Sequence, residues 1–221
     1  MSAARSVTTP TRRRAAPRVA ATASAQAALA EWGPGLTTSV ATFGQFSLMD
    51  AILAAVLDRT GPARVDMATW TASGADLEQT AAQLHDGRIL SVRMIVDCSF
   101  PTRQPGYMAI LVRLFGPDCI RTIRTHAKFC VIRNDHWSVI IRTSMNLNSN
   151  PRLEWIEVSD DPILADFWTA ITDDIFAETP DGQHAVVKPI TDSKLAGLTH
   201  VRPASTIQMS RAPLAMGAPR P

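Results

Sequence analysis

With 221 residues, 46% of them hydrophobic, the chain is long enough for one domain with a sizeable core, and no apolar run approaches the ~18–20 residues that a membrane span needs. The formal charge of +2 is unevenly spread: residues 41–180 hold 12 basic and 17 acidic side chains, residues 1–40 hold Arg5, Arg12, Arg13, Arg14 and Arg18 against Glu31 alone, and residues 181–221 hold five basic and two acidic. A membrane-spanning protein is not expected, and basic arms are expected on either side of an acidic centre.

In chain order, residues 1–40 begin with thirty positions that contain no acid and are rich in Ala, Arg, Thr and Ser. The stretch after the Arg cluster, "VAATASAQAALA", is Ala-rich rather than Leu-rich and makes a poor apolar segment for a signal peptide, so a flexible basic arm on a cytoplasmic protein is the expectation. "LTTSVATF" then reads as a strand, and "SLMDAILAAVLDRTG" as a helix capped by Ser47 and ended by Gly61. "ARVDMATWT" is a strand, "SGADLEQTAAQLHDG" a helix begun near Ser73, "ILSVRMIVD" a buried strand, and "GYMAILVRLFG" a short helix closed by Gly116. Two neighbouring strands follow, "CIRTIRTHAKFCVI" and "WSVIIRTSM", joined by a turn at "RNDH" whose Asn134 and Asp135 suit a hairpin. "LEWIEVSD" is a further strand. "PILADFWTAITDDIF" is a helix with Pro162 in its first turn and Ile163, Leu164, Phe167, Trp168, Ile171 and Ile175 along one face. Strand and helix alternating before a hairpin argue an α/β domain, a mixed β-sheet flanked by helices, over residues 41–180. Residues 181–221 lose periodicity and read as a disordered tail. Cys98, Cys119 and Cys130 have no CxxC spacing, which favours buried thiols in a reducing compartment over disulfides or a zinc site.

The chemistry concentrates in "RTHAKFCVIRNDHWSVIIRTSMNLNSN", residues 124–150. Period-2 spacing puts His126 and Lys128 on one face of a strand, about 7 Å apart at the backbone, and the hairpin returns Ser144 and Asn146 close to them. An imidazole can act as nucleophile or general acid/base, an ammonium binds an anion, and a hydroxyl and an amide add hydrogen bonds. One histidine without a carboxylate at ligand spacing is a poor metal site, so no metal and no cofactor are expected. Metal-free attack on a phosphorus ester suits the set. Arg121, Arg124, Lys128, Arg133, Arg142 and Arg152 lie within 32 residues against Asp135 alone, a locally basic region that fits a phosphodiester polymer.

"HAK", followed after a hairpin by "TSMN" and then "RLEWIEV", resembles the HKD motif of the phospholipase D superfamily, and the resemblance runs over roughly residues 40–178. It implies a phospholipase D-like domain in which His126 is nucleophile or general acid, Lys128 and Asn146 hold the phosphate oxygens, and Ser144 assists. Glu154, or alternatively Glu157, would orient the imidazole. Arg124, Arg133, Arg142 and Arg152 would bind the substrate chain. The sequence departs from the family pattern at Arg133, where the pattern has Asp, and at Thr143, where it has Gly. The chain holds one such motif and the chemistry needs two histidines, so the resemblance implies a homodimer with two copies of His126 facing each other. The expectation is a metal-independent phosphodiesterase or nuclease acting on nucleic acid, DNA rather than RNA, through a phosphohistidine. The alternatives are a nucleic-acid-binding module of the same fold that has lost turnover, and, less favoured, a phospholipid phosphodiesterase. Trp70, Trp137, Trp155 and Trp168 read as core or interface aromatics rather than base-stacking platforms.

Overall fold

A computed structural model describes residues 24–148 and 151–179. Apolar runs of strand length give β1 (Thr37–Thr42), β2 (Ala63–Thr69), β3 (Ile89–Asp97), β4 (Ile120–Ile123), β5 (Phe129–Arg133), β6 (Ser138–Thr143) and β7 (Glu154–Asp160). Among the described residues they form one mixed sheet in the order β1-β7-β6-β5-β2-β3-β4. β2, β3 and β4 run parallel, and β5 pairs antiparallel with both β2 and β6. The expected α/β architecture is what the structure shows.

Helices cover both faces, as parallel strands joined by crossovers require. On one face lies the helical stretch that follows Ser47, with a π-helical segment at Asp50–Val56 leading into α2 (Leu57–Thr60). Ser47 and Asp50 cap it reciprocally, Asp50 N–H donating to Ser47 Oγ at 3.0 Å and Ser47 N–H to Asp50 Oδ2 at 2.8 Å. Gly61 ends it at φ +70°, a conformation that favours glycine. The same face carries α3 (Gly74–His85), capped by Ser73 as expected, and α5 (Pro105–Phe115). Leu77, Leu111 and Phe115 from these helices pack with Met67, Met94, Val96, Ile132 and Ile141 of the sheet.

The opposite face is covered by α6 (Pro162–Glu178), where Ala165 and Ile175 are buried with Ile95, Phe129, Val131 and Ile140. Ile163, expected on that face, is 51% exposed. At 3.6 residues per turn it points about 200° away from Ala165, which sits under the sheet. Arg93 of β3 fixes α6 from below, gripping Asp66 with two parallel bonds of 2.7 and 2.6 Å and Asp173 of α6 at 2.6 Å.

Of the arm expected over residues 1–40, residues 1–23 lie outside the described residues, as does the tail expected over 181–221. Residues 24–40 belong to the folded part, so the boundary at 40 falls too late. Ser24 caps the short helix α1 (Ala25–Ala28), Trp32 is fully buried against Trp137 with ring centroids 5.4 Å apart, and β1 pairs with β7. Among the described residues no helix is long and apolar enough to cross a membrane.

Candidate active site

The expected single strand over 119–132 is two strands with an irregular segment, residues 124–128, between them. The reason is topological. β4 is an edge strand beside β3, while β5 is inserted between β2 and β6, three strand positions away. Neighbouring strands are ~4.8 Å apart, so the chain must cover about 14 Å along the ends of β3 and β2, which the six steps from Ile123 to Phe129 span with slack for a local bend. His126 and Lys128 ride on this crossing segment, above the ends of the strands where a ligand can reach them, rather than in the sheet.

The segment is pinned from below by Asp97, the last residue of β3, whose Oδ2 accepts the Thr125 N–H at 3.0 Å. Cys98 N–H donates to the Ile123 carbonyl at 2.7 Å, and Ala127 N–H to Thr125 Oγ1 at 3.0 Å. The Asp97 Oδ1 accepts both the Ser99 N–H, at 2.9 Å, and the Ser99 hydroxyl. Burial alone would push this carboxyl up, but the bonds from Ser99 and Thr125 and the nearby charge of Arg103 outweigh it and hold it below the usual aspartate range. His126 and Lys128 meet although neither lies in the strand that period-2 spacing assumes: Lys128 Nζ is 3.4 Å from both ring nitrogens and donates to the His126 carbonyl at 3.1 Å. Burial lowers the Lys128 ammonium pKa, partly offset by Glu154.

The other half of the site comes from the end of β6. Residues 144–147 are clamped between β7 and the loop after β2: Ser144 N–H donates to the Trp155 carbonyl at 3.1 Å, and Leu147 N–H to the Thr71 carbonyl at 3.2 Å. Ser144 Oγ donates to Glu154 Oε2 and accepts the Trp155 N–H at 3.0 Å. The structure thus brings His126, Lys128, Ser144 and Glu154 to one end of the sheet. Glu154, expected to orient the imidazole, bonds instead to Ser144. The Asn146 amide oxygen is buried without a hydrogen-bond partner among the described residues. Thr143, where the family pattern has glycine, turns its hydroxyl into β7, donating to the Trp155 carbonyl at 2.6 Å and accepting the Met145 N–H at 2.9 Å. It therefore does not fill the space above the strand ends.

The arginines expected to hold substrate divide. Arg133 lies at the far end of β5, about 16 Å of strand from Lys128, and pairs with Asp166 of α6 at 2.7 Å. Arg142 pairs with Glu157, opposite it in the β6–β7 register, which also removes Glu157 as a partner for His126. Arg121 is buried over the Phe176 ring at 4.3 Å. Arg124 and Arg152 are exposed and form no ion pair among the described residues.

Trp70, expected as a core or interface aromatic, stands beside the site, and Arg103 and the Asp97–Ser99 pair were not singled out in the sequence. The Trp70 ring, on the loop after β2, stands 5.8 Å from the His126 ring at a tilt of 59°, and the Arg103 guanidinium lies over that indole at 3.8 Å. The Asp97–Ser99 pair was legible in principle, since an Asp two residues before a Ser at the end of a buried strand signals a side-chain-closed turn. Among the described residues no group of three or more His, Cys, Asp or Glu is placed to hold a metal ion.

No protein-family model matches the sequence, and no curated protein matches it significantly. Solved structures similar to this chain include a phospholipase D family member, Nuc from Salmonella typhimurium, at 16% identity and a TM-score of 0.47, covering 66% of this chain and 97% of that one. NucT from Helicobacter pylori is similar at 12% identity and a TM-score of 0.48, covering 66% and 99%. The archaeal chromatin protein TrmBL2 is similar at 7% identity and a TM-score of 0.42, covering 66% and 54%.

Proposed function

We propose that this chain is a metal-independent phosphodiesterase of the phospholipase D superfamily that cleaves nucleic acid at a site built on His126. The observation that carries the reading is the meeting of His126 with Lys128 on an exposed crossing segment, facing Ser144 and Glu154 at the same end of the sheet. His126 attacks phosphorus, forming a nitrogen–phosphorus bond while the bond to the leaving oxygen breaks. That oxygen takes its proton from His126 of a second copy. Water then attacks the phosphohistidine, the second imidazole removes its proton, and the nitrogen–phosphorus bond breaks. Lys128 and the Asn146 amide neutralise and bind the non-bridging oxygens. Glu154 fixes the Ser144 hydroxyl and balances the Lys128 charge.

A homodimer supplies the second histidine. Leu153, 64% exposed, and Trp155, 49% exposed, flank Glu154 and offer apolar surface beside the site, which favours this arrangement. DNA is favoured over RNA as substrate. The test is incubation of the full chain with plasmid and single-stranded DNA in excess EDTA, beside His126→Ala. Cleavage that disappears in the variant supports the proposal. Binding without cleavage by either protein would favour the module that has lost turnover.

A further inference from the structure

Arg103 stands beside the site without belonging to the motif that marks it. It follows Phe100 in the short helix α4 (Phe100–Arg103), and its guanidinium lies 3.8 Å from the centroid of the Trp70 ring. Since the same indole meets His126 at 5.8 Å, one ring separates guanidinium from imidazole. Arg103 is fixed there: Nε donates to Ser99 Oγ at 2.9 Å and Nη2 to the Trp70 carbonyl at 3.0 Å. Nη1 has no partner among the described residues. Arg93, Arg133 and Arg142 are each committed to a carboxylate. Arg103 is not: Asp97 feels its charge without forming an ion pair with it.

An exposed guanidinium stacked on an indole and held by two hydrogen bonds has already lost most of its rotamer freedom, and it still presents N–H groups to solvent. That is a prepared phosphate site. We propose that Arg103, supported by Trp70 and Ser99, binds a second phosphate of the same chain, adjoining the one held at His126 and Lys128. The inference rests on reading His126 and Lys128 as a phosphate site, and it deepens that reading: the ligand is a polymer of phosphodiesters. A phospholipid with a single phosphodiester leaves Arg103 nothing to bind, whereas a nucleotide chain places another phosphate one step along.

The test is equilibrium binding of the full chain, in the His126→Ala background so that nothing is cleaved, to a fluorescent single-stranded oligodeoxynucleotide, with inorganic phosphate as a competing ligand. Adding Arg103→Ala is expected to weaken oligonucleotide binding about tenfold. It should also reduce the slope of log affinity against log salt by about 0.7, the value for one phosphate contact on a single strand. The inhibition constant of inorganic phosphate should change less than about twofold, the scatter of a substitution that leaves its site intact. Arg103→Lys, which keeps the charge and loses the planar fork, should fall between. Unchanged oligonucleotide affinity and slope would overturn the proposal. So would equal losses for oligonucleotide and phosphate, because Arg103 would then act through the His126 pocket. The two readings fail separately. A protein that shows the Arg103 effect but never cleaves in EDTA refutes hydrolysis and leaves the second phosphate site standing; one that cleaves, with affinity indifferent to Arg103, refutes the second site alone.

Discussion

Asp97→Asn is the substitution whose consequence follows most closely from the geometry. The Asp97 carboxylate, 7% exposed, accepts from Ser99 on one oxygen and from the Thr125 N–H, at 3.0 Å, on the other. Asparagine keeps one acceptor and turns the second into an NH2 group facing an N–H. One charge-assisted bond is lost and a partly buried donor is left without an acceptor, which together cost about 2–3 kcal/mol. For a domain of this size that lowers the melting temperature by about 5–10 °C. The pH dependence has a definite sign. The folded carboxyl sits below its ordinary value, so its contribution is present above the unfolded pKa and is lost as pH falls through the folded one. The gap between wild type and Asp97→Asn should therefore be full at neutral pH and should shrink on acidification below about pH 4. Urea unfolding followed by tryptophan fluorescence reads the stability, and hydrogen exchange at the Thr125 amide reads the local release. Cleavage should fall as well, because Thr125 precedes His126. A loss under ~0.5 kcal/mol at pH 7, within the range of neutral surface changes, with Thr125 exchange unaltered, would refute the assignment of Asp97 as the residue that positions the histidine segment.

Lys128→Met should weaken oligonucleotide binding about tenfold or more yet raise the melting temperature by roughly 1–3 °C at pH 7, because burial disfavours the ammonium. Since the folded pKa lies below the unfolded one, that gain is full at neutral pH and disappears as pH rises past the ordinary lysine range; a calorimetric pH series checks it. Arg133→Ala should leave oligonucleotide affinity within about twofold and the salt slope unchanged, because the guanidinium is occupied by Asp166 at the far end of β5; a titration at two salt concentrations decides it. Trp155→Arg should convert a dimer into a monomer in sedimentation and remove cleavage with it, and a variant that stays dimeric and active would place the contact elsewhere.

The sheet and its helices were legible because their signals are local. Ser73 before an acidic turn, Gly61 and Gly116 at helix ends, and alternation in "ARVDMAT" each report on the residues beside them. The hairpin was legible for the same reason: Asn134 Oδ1 accepts the N–H groups of His136 and Trp137, both at 3.0 Å. The break in the strand at residues 124–128 was not legible. Nothing in "CIRTIRTHAKFCVI" marks a boundary, since the crossing is dictated by β5 inserting beside β2, a non-local pairing. For the same reason the sequence assigned Arg133 and Arg142 to substrate from their proximity in the chain, while Asp166 and Glu157 claim them across the fold. Trp70, on the loop after β2, meets His126 only in space, and Arg103, in the short helix after β3, meets that indole only in space.

The measurement that tests the central claim most directly is capture of the covalent intermediate. Wild-type protein is mixed with end-labelled single-stranded DNA in EDTA, quenched in alkali at successive times, and digested to locate label retained on the polypeptide. A nucleotide adduct on the peptide that contains His126, stable in alkali, released by acid and absent from His126→Ala, is the predicted result. Cleavage in EDTA with no label on His126 at any quench time, or cleavage that survives His126→Ala, would contradict the account.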